Sequence, residues 1–307
     1  MTFASRGALY GVGAYGLWGA FPLYFRLLER SGALEVVVHR VLWSLVLCLG
    51  IVAATGSWLD LRGTLLAARR VVPLGVGAVL LAVNWGVYVY AVNSGQVLEA
   101  SLGYFVNPLV TVLLGVVVLR ERLRRWQWIA VGIGAVAVAV LTLAYGRPPL
   151  IALTLALSFG LYGLVKNRVG VGVGAVTSLT TETLVLAPPA VAVLAWLEVS
   201  GNGHFTQDPP WQGLLLASVG TATVVPLLFF AASARRVPLS TLGLLQYLTP
   251  ILQLLCGVVV LGEHMPIERW VGFGLVWVAL VVLTVDTVQA ASRRRIQTRT
   301  AEPVGAA

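Results

Sequence analysis

Residues 107–128 read NPLVTVLLGVVVLRERLRRWQW, and residues 249–270 read TPILQLLCGVVVLGEHMPIERW. Laid over each other at an offset of 142 positions, Pro108 meets Pro250 and Gly115 meets Gly257. Val116 to Leu119 meet Val258 to Leu261, Glu121 meets Glu263, and Trp128 meets Trp270. Apolar segments match easily by composition alone, but a proline, a glutamate and a tryptophan in one register do not. Just upstream the offset falls to 140, where Leu102-Gly103 meets Leu242-Gly243. The chain reads as two copies of one unit.

Composition identifies the solvent. Of 307 residues, 58% are hydrophobic and 11% charged, and the mean hydropathy is +0.89. Soluble domains are about 45–50% apolar and about 25% charged. A chain this apolar cannot hide its surface in a core of its own, so it lies in lipid. A helix needs about 20 mostly apolar residues to span hydrocarbon. Barrel strands would alternate apolar with polar residues, whereas these runs are continuous. Runs of spanning length fall at 7–28, 34–55, 71–93, 98–119, 126–145, 148–168, 174–197, 211–234, 240–261 and 268–287. The expected fold is an all-α integral membrane protein with ten transmembrane helices. Arg6 alone precedes the first run, with no clear cleavage site, so that run reads as a retained helix and not a signal peptide. Cys48 and Cys256 form no CxxC motif or disulfide framework.

The net charge of +9 could suggest nucleic acid, but membrane proteins gather Arg and Lys in cytoplasmic loops. With the N-terminus inside, sixteen basic residues face the cytoplasm: Arg6, those of the 62–70, 120–125, 166–168 and 235–236 segments, and four tail arginines. Four face outward: Arg26, Arg30, Arg147 and Arg269. Both ends are therefore expected in the cytoplasm, with the protein in the plasma membrane. Five spans per copy is an odd number, so the second copy must enter inverted. The turns agree, since Arg120, Arg122, Arg124 and Arg125 are replaced in the second copy by Gly262, His264, Pro266 and Ile267. The expected organisation is a first five-helix repeat (1–145), an inverted second repeat (146–287), and a basic, loop-like tail (288–307) that touches anionic lipid. Inverted repeats are a construction of secondary transporters, with the substrate site near the midplane.

Charged groups at membrane depth are costly and are functional suspects by default. EVVVHRVLWS (35–44) carries Glu35, His39 and Arg40. Glu35 and His39 lie within roughly 40° on a helix and can meet across one turn. Arg40 is turned about a further 100° and can snorkel outward. The three form either a bracing ion-pair cluster, or a gate or ligand contact. Asn84, Trp85 and Tyr88 occupy the third run, with Asn84 and Tyr88 on one face. Tyr90 and Asn93 read as interfacial. In EASLGYFVNP (99–108), Glu99 is expected near the outer mouth, with Tyr104 and Asn107 deeper, beside a carbonyl freed by Pro108. Gln246, Tyr247, Thr249, Pro250 and Gln253 occupy the corresponding helix of the second copy. Two proline-interrupted helices at matching positions point to a central site. Trp18 and Pro22 are placed to reach it. Glu182 sits within the seventh run and is the proton-coupling candidate, with a structural bond to Ser178 as the alternative. Lys166, Arg168, Arg235 and Arg236 read as interfacial anchors. GVGAYGLWG (11–19) follows no strand, so it is not a nucleotide loop. There is no metal-ligand spacing, and no metal, cofactor or nucleic acid is expected.

Several segments together resemble one family: AYGLWGAFPLYF (14–25), LEVVVHRVLWS (34–44), NWGVYVYAVN (84–93), LEASLGYFVNPLV (98–110), FGLYGLVKN (159–167), TTETLVLAP (180–188) and STLGLLQYLTP (240–250). The chain is similar to RarD-type members of the EamA family in the drug/metabolite transporter superfamily. The resemblance implies a ten-helix inner-membrane carrier working by alternating access. Members are commonly labelled chloramphenicol-sensitivity proteins or drug permeases, and relatives export amino acids and other small metabolites. No catalytic set is carried over.

Three functions compete for a chain of this kind. A secondary carrier exporting a small metabolite or drug, with protons as the coupling ion, fits the inverted halves and the aromatic and amide residues. A membrane enzyme acting on a lipid-linked substrate needs a compact acid/base or metal constellation, for which Glu35 with His39 is the sole candidate. An ion channel would want rings of charge or carbonyls. The carrier is the expectation: a substrate-binding set of Trp18, Asn84, Trp85, Tyr88, Tyr104, Asn107, Gln246 and Tyr247, and a coupling or gating set of Glu35, His39, Arg40, Glu99 and Glu182.

Overall fold

The computed structural model describes residues 3–120, 122–169, 173–206, 208–234, 236–237 and 245–300. Glu121, Arg235 and residues 240–244 of the STLGLLQYLTP motif lie outside the described residues, as do the side chains of Arg168 and the tail arginines. Among the described residues every regular element is helical. In chain order they are α1 (Phe3–Gly19), α2 (Phe21–Arg26), α3 (Gly32–Thr55), α4 (Trp58–Leu65), α5 (Ala68–Asn93), α6 (Val97–Leu119), α7 (Arg125–Tyr145), α8 (Leu150–Val169), α9 (Ala175–Val199), α10 (Pro210–Ala234), α11 (Leu248–Leu255) and α12 (Ile267–Thr300).

Among the described residues seven helices are long and apolar enough to cross a membrane: α3 with its leading turn, α5, α6, α7, α9, α10 and the 267–286 part of α12. The other three expected spans are shorter or interrupted. The first run breaks at Ala20, and Pro22 sits in the first turn of α2, where its missing N–H costs nothing. The sixth contains an apolar helix over Leu150–Lys166. In the ninth, α11 passes into a π-helical turn, Cys256–Val260. Two features depart from expectation. The 56–67 connection folds into α4, and α12 runs on to Thr300, where a loop-like tail was expected from 288. Apolar runs of spanning length reveal neither, because α4 is only eight residues long and the 288–300 segment is polar.

The chain divides into two compact units. The first comprises residues 1–107 and 150–264. Within it α3 packs on α5, α9 and α10, α5 also packs on α8 and α9, and α1 packs on α10 and α11. Small residues allow these approaches. A Cβ at Gly220 of α10 would lie 2.5 Å from the Trp43 backbone of α3, and one at Gly103 of α6 would lie 2.8 Å from the Ala152 carbonyl of α8. The second unit comprises residues 108–149 and 265–307. In it α7 packs along α12, with Leu141 filling the space over Gly272. Arg124 Nε donates to the buried Asp286 Oδ2 at 2.7 Å.

Backbone lies against Gly220, so Gly220→Ala must push α3 and α10 apart. It should lower stability by about 1–3 kcal/mol. Gly50→Ala, whose Cβ would meet nothing within 4 Å, should be neutral. Thermal unfolding of both variants in detergent checks this; equal midpoints would mean the α3–α10 approach is looser than described.

Candidate functional site

The polar groups of α3 each find a different neighbour. Glu35, 1% exposed, does not serve His39. Its Oε1 accepts the backbone N–H groups of His204 (2.7 Å) and Phe205 (3.2 Å), and its Oε2 lies 2.9 Å from His204 Nδ1. Glu35 therefore clasps the loop between α9 and α10. His39 Nδ1 accepts from Trp43 Nε1 at 3.2 Å, and its ring stacks on Phe205 at 4.6 Å. The expected Glu35–His39 contact across one turn is replaced by these, because a loop from the second half supplies closer donors. Arg40 does not snorkel. It is 4% exposed, with Cζ 4.1 Å from the centre of the Trp85 ring and Nε donating to Thr223 Oγ1 at 2.9 Å.

Arg40 stands in the wall of a cavity of about 420 Å³ inside the first unit. This is within the ~300–1,000 Å³ typical of small-molecule sites. From the expected binding set, Trp18, Asn84, Trp85 and Tyr88 line it, as do Tyr104, Asn107 and Gln246. Tyr247 is not in the wall. Neither are Glu35, His39, Glu99 or Glu182, whereas Arg40, expected as a gate, is. The wall is largely a chain of rings. Tyr15, Trp18 and Phe230 touch one another at 5.5–6.1 Å between centres. Tyr88 meets Tyr104 at 5.7 Å, Tyr104 meets Phe159 at 6.4 Å, and Phe159 meets Tyr162 at 6.0 Å. Asn84 is locked in place, donating to the Leu155 carbonyl (3.1 Å) and Ser158 (3.0 Å) and accepting from Tyr104 (3.3 Å). Thr249 and Gln253 donate to the carbonyls of Tyr15 (2.9 Å) and Trp18 (3.2 Å), which ties α11 to α1.

Glu182, 1% exposed, lies behind the wall. Lys166 Nζ is 2.5 Å from its Oε1, and Ser178 and Tyr162 each donate to the carboxylate at 3.2 Å. Lys166 also bonds Ser178. The structural bond to Ser178 is thus present, and Lys166, expected as an interfacial anchor, is instead the partner of Glu182 and a wall residue. Glu99 does not stand free at a mouth. Its Oε1 accepts the Ile151 N–H at 2.9 Å, capping the start of α8. Glu263 does the same for α6, accepting the N–H groups of Val97 (2.6 Å) and Leu98 (2.9 Å).

Sequence reasoning missed Tyr15, Phe21, Phe159, Tyr162 and Thr223 as wall residues. Tyr15, Trp18 and Phe21 follow a three-residue spacing that marks one helical face, and this was a usable signal. Tyr162 and Lys166, four residues apart, were another. Thr223 had none.

The Lys166–Glu182 pair can be tested by a mutant cycle. Lys166→Met leaves Glu182 buried without its cation and should cost about 3 kcal/mol. Adding Glu182→Leu should recover most of that loss. Unfolding midpoints in detergent measure both; a double variant no more stable than Lys166→Met would contradict the pairing.

The model of the EamA-like transporter family matches the chain twice, over residues 5–143 and 147–285. A protein RarD from Streptomyces exfoliatus is 48% identical over 97% of this chain and 94% of its own length. A protein from Pseudomonas aeruginosa named as an uncharacterized transporter is 41% identical over 94% of this chain and 96% of its own. A solved crystal structure shares the fold, with a TM-score of 0.57 at 19% identity, covering 91% of this chain and 97% of that one. The several spanning helices and the two matched copies make this a multi-pass membrane protein. The chain belongs to the EamA-like transporter family, where it stands with the RarD-type members.

Proposed function

We propose that the chain is a secondary carrier of the bacterial inner membrane that exports a small amphipathic metabolite or drug by alternating access. In this reading ten spans form two inverted halves, 1–145 and 146–287, with both termini and the basic tail from 288 in the cytoplasm. The excess of basic residues in alternate loops supports that orientation, and the two matched copies support the halves.

The observation that carries the function is the cavity. It is built from α1, α2, α3, α5 and α6 of the first half and α8 to α11 of the second. Its rings offer an apolar body a place to lie, and Asn84, Asn107, Gln246 and Gln253 offer polar contacts. An enzyme would need Glu35 and His39 at a reacting centre, but both are engaged by the 204–205 segment and Trp43. Protons are the proposed coupling ion. A proton on Glu182 would end its ion pair and release the Lys166 ammonium toward the cavity, so occupancy and protonation would bias each other.

Purified protein in liposomes loaded with a pH-sensitive dye tests this. Aromatic acids, amino acids, phenicols and small organic cations are added singly, with labelled compound followed in parallel. The carrier reading predicts flux of at least one class, reduced about tenfold or more by Asn107→Ala. It also predicts an accompanying pH change that Glu182→Gln abolishes. Flux without a pH change would remove the proton; no flux from any class would contradict the carrier.

A further inference from the structure

We propose that the cavity takes a small organic monoanion, with Arg40 as the anchor for its carboxylate and the rings holding its apolar body. This rests on the cavity being the substrate site and names the class of substrate.

The argument begins with unbalanced charge. Among the described residues the wall contains two cations, Arg40 and Lys166, and no Asp or Glu. Lys166 is matched by Glu182 at 2.5 Å. Among the described residues no carboxylate lies within ion-pair reach of Arg40. The cavity therefore carries one positive charge without a protein counter-ion. A guanidinium keeps its proton under physiological conditions, and burying one unpaired is strongly unfavourable. Its face is partly satisfied by Trp85 at 4.1 Å, with Phe21 and Phe25 at 5.5 and 5.6 Å. Its five N–H groups are a different matter. Among the described residues the one acceptor is Thr223 Oγ1, whose own proton goes to the Val219 carbonyl.

A second group points the same way. The Tyr88 hydroxyl is buried, in the same wall, and without a hydrogen-bond partner among the described residues. Tyr88 and Arg40 flank one ring, Phe25, with the tyrosine ring 6.0 Å from it. A guanidinium fork and a phenolic O–H are donors suited to one carboxylate. A cationic ligand would meet uncompensated repulsion, and a neutral one would leave the guanidinium bare. Because Lys166 is already matched, one negative charge on the ligand suffices.

Calorimetric titration of the full-length protein in nanodiscs, in dilute buffer without carboxylates or added salt so that no small anion occupies Arg40, tests the class. The probes share one skeleton: 3-phenylpropionate, 3-phenylpropionamide and 3-phenylpropylamine. The carboxylate should bind at least about tenfold more tightly than the amide, with the amine weakest. Arg40→Gln should bring the carboxylate down to the amide's affinity, and Arg40→Lys should retain part of the preference. Amide or amine binding as tight as the carboxylate's, or a preference unchanged in Arg40→Gln, would overturn the anion assignment and leave the cavity standing as a site. No saturable binding by any probe would count against both. If Arg40→Gln does not fold, the comparison of the three probes on the unaltered chain decides alone.

Discussion

Hydrocarbon offers no hydrogen bonds, so a polar group carried into the membrane is stabilised by a partner within the protein. The interior of the first unit follows from that constraint. On α3 it sends Glu35 to the 204–205 backbone, His39 to Trp43, and Arg40 to Trp85 and Thr223. Polar side chains thereby decide which elements meet around α3. What they leave unfilled is the cavity, and it is lined where donors and rings converge.

The same constraint governs how broken helices are held. The starts of α6 and α8 expose N–H groups inside the unit, and Glu263 and Glu99 satisfy them from elsewhere in the chain. Ser101 donates to the Pro250 carbonyl at 2.8 Å, and Thr249 donates to that of Tyr15 at 2.9 Å. These bonds tie α11 to α6 and to α1 through backbone carbonyls and hold that part of the wall in place.

Much of this was legible because the background is so apolar. Asn84, Tyr104, Asn107 and Gln246 stand out against Val and Leu, and all of them line the cavity. The repeated GVVVL segment was legible because proline, glutamate and tryptophan recur in register. What periodicity could not supply was any partner outside a residue's own helix. It paired Glu35 with His39 four residues on, whereas the partner is His204, 169 residues away. It left Lys166 at the membrane edge, because Glu182, its partner, stands on a different helix. The break at Ala20 and the π-helical turn at Cys256–Val260 were hidden for a related reason, since packing decides them and the apolar run is continuous through both.

The central claim is that one cavity is reached alternately from the two sides of the membrane. The direct test places a single cysteine at Gln246, with Cys48 and Cys256 replaced by alanine, and treats right-side-out and inverted vesicles with a membrane-impermeant thiol reagent. The account predicts labelling from both sides, with one side gaining at the other's expense when substrate is present. Labelling from one side alone under every condition would contradict it.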